Sequence, residues 1–134
     1  LLKEFNLKGF HCTRVFIKKA KKSLIELKVE YPNSSFSKSC HSLLELEKTD
    51  GYSYVFLSPI FDSISKKGYN SKFSLESLSK ALKIAKTDVY ALGGVSESNI
   101  SILKEFKLKG VGVLGAVWND VYPKEQFIKI KKRL

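Results

Sequence analysis

Methionine is absent from these 134 residues, tryptophan occurs once, proline three times and cysteine twice. Two cysteines, Cys12 and Cys40, are too few for a secreted disulfide scaffold. No apolar run approaches the roughly 18 to 20 residues that a membrane helix needs, and no stretch resembles a signal peptide. A reducing cytoplasm is the expected compartment, with no membrane partner. The chain opens on Leu1 and holds no initiator methionine, so the expectation is a piece of a longer gene product. Acidic residues are also scarce: 13 Asp+Glu against 24 Lys+Arg leave a net charge of +11. What remains is ordinary for a folded protein. Hydrophobic residues make up 43% and charged residues 28%, which excludes a disordered tail and fits one domain spanning residues 1–134.

Read for period, short apolar runs alternate with amphipathic stretches. Residues 8–13, 36–41, 54–58, 88–92 and 110–114 read as strands, and YVFLSPI, from Tyr54 to Ile60, is the strongest of them. Between the first two, Phe16, Ala20, Leu24 and Leu27 recur at helical spacing. Residues 42–48 predict one or two helical turns. Ser74 predicts a helix start, with Leu75, Leu78, Leu82 and Ala85 on its stripe. Ser96 predicts another, with Ile100, Leu103 and Phe106 inward, and residues 127–132 belong to a closing helix. About five βα units of roughly 25 residues imply a parallel sheet with helical crossovers. A doubly wound sheet could use five strands; an eight-unit barrel needs roughly 200 residues, more than this chain has.

In parallel α/β folds, ligands lie at the carboxyl ends of the strands. Two loops there are glycine turns leading toward helices: Gly93–Gly94, and Leu114–Gly115. Glycine permits close approach of backbone to ligand, and a helix's first N–H groups favour an anion, so the pair suggests a phosphate clamp. A third loop, SPIFDSISKKG, places hydroxyls at Ser63 and Ser65 before Lys66, a set suited to a polyanion. Ser39 and His41 share one strand face while Cys40 points the other way, and His41 could move a proton near neutral pH. The pairs His11–Cys12 and Cys40–His41 invite a zinc reading, but neighbours on a strand face opposite sides and no CxxC or HxxxH spacing supports it, so no metal site is expected from them.

The series GFHCT, SCHS, YVFLSPIF followed by hydroxyl-x-hydroxyl-Lys, ALGGV with Asn99 five residues after Gly94, and GVGVLGA resembles the family of thiamine phosphate synthase and its thiazole tautomerase relatives. The resemblance covers about residues 7 to 118 and implies an α/β fold of the (β/α)8 TIM-barrel type, represented by its last five βα units, strands four to eight. It implies small phosphorylated substrates. The loop Ser63-Ile64-Ser65-Lys66 would hold the thiazole substrate through Ser63 and Ser65, and the pyrophosphate of the pyrimidine substrate through Lys66. Gly94, Leu114 and Gly115 would bind phosphate, and Ser39 would lie near the pyrimidine substrate. His41 matches the proton-transfer base of the tautomerase branch. Synthases of this family use Mg2+, but its ligands are not identifiable here: the family's motif after strand four ends in a metal-binding aspartate, and the matching stretch from Gly9 ends in Phe16.

The synthase reaction develops a cation at the pyrimidine methylene as pyrophosphate leaves, a charge change that needs cationic and hydrogen-bonding groups. Lys66, Ser39 and Arg14 are the groups in this chain available for it. The rival from another class is nucleic-acid binding, suggested by +11. Lys18, Lys19, Lys21 and Lys22, and the C-terminal Lys129, Lys131, Lys132 and Arg133, interleave with apolar residues as outward helix faces do, and no stacking platform accompanies them. Nucleic acid is therefore disfavoured as a partner. Five strands of an eight-strand barrel would leave two open edges, so preceding sequence or strand exchange with a second copy is expected to cover them.

Overall fold

Strand β3 (Tyr54–Leu57) shows why this sequence makes a sheet. Val55 and Leu57 are fully buried on one face, while Tyr54 and Phe56 are half-buried on the other. A computed structural model describes residues 4–20, 22–62 and 73–134. Around β3 lie β1 (Gly9–His11), β2 (Ser35–Cys40), β4 (Asp88–Leu92) and β5 (Gly110–Gly112), all parallel, in the spatial order β1-β2-β3-β4-β5. Register places Ser37 beside Tyr54, Phe56 beside Tyr90, and Leu92 beside Gly112. All five expected strands form: β4 with the expected bounds, β2 shifted by one residue, and the other three trimmed by one to three residues.

The helices are α1 (Arg14–Ala20), α2 (Leu24–Glu30), α3 (Leu43–Leu46), α4 (Leu75–Ile84), α5 (Gly115–Trp118) and α6 (Pro123–Lys132), with a 3-10 helix at Ile100–Glu105. The expected helical stripe from Phe16 to Leu27 is two helices. Ser23 interrupts it with a capping box: its hydroxyl accepts from Glu26 N–H, and the Glu26 carboxylate accepts from Ser23 N–H. Ser74 caps α4 as expected, accepting from Ser77 N–H. Ser96 does not start a helix directly. The chain first makes a turn, and the 3-10 helix begins at Ile100.

The described helices pack on one side of the sheet. Cys40, Val55, Leu57, Val89 and Ala91 meet Leu78 and Leu82 of α4, Ile100 and Leu103 of the 3-10 helix, and Ile130 of α6. A smaller cluster joins Cys12, Leu27 and Phe36, with Phe10 and Phe16 packed against it. The other face carries His11, Ser37, Ser39, Tyr54, Phe56 and Tyr90, whose positions alternate with the core residues. The rings of Tyr54, Phe56 and Tyr90 stand 5.5 to 5.9 Å apart across neighbouring strands. A doubly wound sheet would have helices on both faces; a segment of barrel has them on the outside only. The observed arrangement is the second.

Candidate active site

Strand alternation delivers Ser39 and His41 to the same face of the end of β2, with Cys40 fully buried behind them. Both line a cleft of about 320 Å³ together with His11, Arg14 and Glu45. Glu45, on α3, ties this end of the sheet together. One carboxylate oxygen accepts from His41 N–H at 2.9 Å, and the other accepts from the Arg14 guanidinium at 2.9 Å. The His41 ring is oriented by the residue after β3: Nδ1 lies 2.9 Å from the Ser58 carbonyl oxygen. A carbonyl can only accept, so Nδ1 carries the proton and Nε2 of the neutral ring keeps its lone pair. His11 and Glu45 join the site without any sign in the local pattern. The pairing of β1 with β2 and the one-turn helix after Cys40 bring them in, and both are tertiary features.

Gly94 belongs to a second cleft, of about 670 Å³, with Phe61, Asp62, Ser96 and Asn99 among its walls. Its φ is +68°, and a Cβ there would collide with the backbone of Phe61 and Asp62, so glycine is required on both counts. Asn99 braces the turn: its Nδ2 donates to Gly94 O at 2.9 Å, and its Oδ1 accepts from Ser96 N–H at 2.9 Å. Leu114 and Gly115 stand beyond the end of β5, Leu114 exposed and Gly115 opening α5. The helices after both glycine turns are short, six residues of 3-10 helix and four of α-helix. The expected support from helix N-termini is therefore weak, and any anion binding there would depend on individual N–H groups.

Ser63, Ile64, Ser65 and Lys66 lie outside the described residues. Phe16, at the position matching the family's metal-binding aspartate, is a packing residue: its ring is half-buried, 5.8 Å from that of Phe10. Among the described residues no group of three or more His, Cys, Asp or Glu side chains could hold a metal ion. Burial pushes both the Cys12 and the Cys40 thiols up from their ordinary range. No described helix is long and apolar enough to cross a membrane.

Parallel strands in chain order, helices on one face and polar side chains gathered at the carboxyl ends of the strands define a segment of an α/β-barrel protein. The chain belongs to the thiamine monophosphate synthase family, whose profile matches residues 8–117. It is 29% identical over 85 residues to thiamine-phosphate synthase of Prochlorococcus marinus strain AS9601, covering 63% of this chain and 24% of that protein. Among solved structures it is similar to thiamine phosphate pyrophosphorylase from Bacteroides thetaiotaomicron, with 32% identity and a TM-score of 0.72, covering 98% of this chain and 64% of that one. The pyrophosphorylase from Pyrococcus furiosus shares the fold at a TM-score of 0.78 and 19% identity, with 98% and 61% covered. The chain thus spans about a quarter of that curated relative and under two thirds of these solved chains.

Proposed function

We propose that this chain is the carboxyl-terminal part of a transferase of thiamine biosynthesis, joining a pyrimidine methyl pyrophosphate to a thiazole phosphate. The C–O bond to pyrophosphate breaks, the thiazole nitrogen takes the methylene carbon, and pyrophosphate leaves. The observation that carries the reading is the family match over residues 8–117, which spans all five strands. In it Ser39 and Arg14 serve the pyrimidine pyrophosphate, Lys66 grips the leaving group, Gly94, Leu114 and Gly115 receive the thiazole phosphate, and Ser63, Ile64 and Ser65 are assigned to the thiazole substrate by the family's motif. The charge that grows on the departing pyrophosphate is what these groups would stabilise. Phe16 gives no metal ligand, and no step is assigned to a metal ion. Three further βα units, from preceding sequence or a partner chain, would complete the barrel.

A second reading, an isomerase of the tautomerase type, is favoured by the His41 ring. Its Nδ1–H is spent on Ser58 O, so Nε2 is left to take and return a proton. One assay separates the two, using the complete polypeptide with both substrates. For the transferase, pyrophosphate appears only when both are present, Lys66→Ala lowers turnover about a hundredfold or more, and His41→Gln is mild. For the isomerase, product forms without the pyrimidine substrate, and His41→Gln costs about 10² to 10⁴ in rate.

A further inference from the structure

His11 is a titratable side chain of the cleft to which neither reading gives a role. Its ring bridges two hydroxyls of β2: Nδ1 is 3.0 Å from Ser37 Oγ, and Nε2 is 3.2 Å from Ser39 Oγ. The Phe56 ring stands tilted beside it, with the ring centroids 5.9 Å apart. Ser37 settles the proton positions. Only 2% exposed, it cannot turn to water, and its Oγ also lies 3.3 Å from the Phe10 carbonyl oxygen. A carbonyl only accepts, so the single Ser37 proton goes to Phe10 O, and Ser37 Oγ accepts from His11 Nδ1–H. Nε2 of the neutral ring then holds a lone pair, and Ser39 donates its O–H to it. Held this way, Ser39 is an acceptor without a proton to offer, a poor partner for a phosphate oxygen.

We propose that His11 is the positioning residue that sets the hydrogen-bond direction of Ser39, and that a phosphate or pyrophosphate group bound at Ser39 takes up one proton at His11 Nε2. The proton comes from solvent. Because Nδ1–H is already committed to Ser37, the added proton makes an imidazolium whose Nε2–H donates to Ser39 Oγ. The Ser39 O–H is thereby released to donate to the anion, and a positive charge stands one hydroxyl behind it. The charged and titratable groups around this cleft are Arg14 from α1, Lys38 and His41 from β2 and its end, Glu45 from α3, Tyr52 ahead of β3, and Cys12 after β1. Arg14 Nη2 is paired with Glu45 and Lys38 Nζ donates to Lys48 O at 2.8 Å, and the hydrogen bond given for the Ser39 side chain is to His11 Nε2. The inference rests on the proposed function in one respect, that a phosphorylated ligand reaches the Ser39 end of the site.

The imidazole nitrogens report the outcome directly. In a 15N-labelled sample of the complete polypeptide, the ring patterns of His11 and His41, the two histidines of these 134 residues, are assigned by their loss in His11→Gln and His41→Gln. Without ligand, above neutral pH, His11 is expected to show a protonated Nδ1 and an unprotonated Nε2. Saturating inorganic pyrophosphate at the same pH is expected to move the Nε2 resonance to the protonated range, and Ser39→Ala is expected to abolish that change. A ligand-free His11 protonated at Nε2 would overturn the proposal. So would pyrophosphate-induced amide shifts at Gly94 or Gly115 with the His11 pattern unmoved, or a His11 response that survives in Ser39→Ala. Those three results leave the functional reading standing; amide shifts nowhere would remove it as well.

Discussion

The two cysteines differ from the histidines in how the sheet presents them. Cys12 and Cys40 face the helices, 3% and 0% exposed, and burial raises both thiol pKa values. For Cys40, Lys38 opposes the shift and Glu45 adds to it, with burial the largest cause. The thiolate is the reactive form, so both thiols are expected to resist a disulfide exchange reagent at pH 8 until denaturant is added, as measured by thiol release. A group with a raised folded pKa contributes its full stability below its unfolded value. Stability is therefore expected to fall as pH rises above about 9, seen as an earlier urea midpoint. At this scale the site was partly legible. Alternation along a strand is enough to pair Ser39 with His41 and to turn Cys40 away. The chain from Ser37 through His11 to Ser39 was not legible, because it depends on His11 standing opposite Ser37, and register is a property of two strands together.

Among the elements, α4 shows most plainly how local chemistry and packing combine. Ser74 caps it, Glu76 and Lys80 pair at 2.7 Å along its exposed side, and Leu78 and Leu82 are buried against the sheet. Ser74→Ala removes the cap bond and is expected to cost about 1 kcal/mol in chemical denaturation, with little change at either cleft. The same kind of cap divides α1 from α2, and there the sequence misled. Phe16, Leu24 and Leu27 keep helical spacing across the break, because both helices bury one side against the same small cluster. Period reports which residues face inward; it does not report that the backbone stopped and restarted between them. The sequence Ser23-x-x-Glu26 was the available sign. The strands were legible in order and nearly in extent, most plainly β3 and β4, where aliphatic and aromatic residues run together and Pro59 or Gly93 follows within two residues.

For the molecule as a whole, one helix-covered face and two sheet edges without a partner strand among the described residues are the dominant facts. Phe5 and Leu7 are at least half exposed beside β1, and Trp118, Val121 and Tyr122 are more exposed still beyond β5. Unpaired strand edges flanked by apolar side chains invite another chain. The 134 residues alone are therefore expected to sediment as dimers or larger species, and supplying three further βα units in the same polypeptide is expected to return a monomer of barrel size. A monomeric 134-residue chain with low dye binding would argue against the open half-barrel. Strand order in space also matches strand order along the chain, and the longest step between partners is from Tyr54 to Asp88. On the ribosome, where the amino end emerges first, every strand after β1 would find its neighbour already made, and none would wait for one still to come.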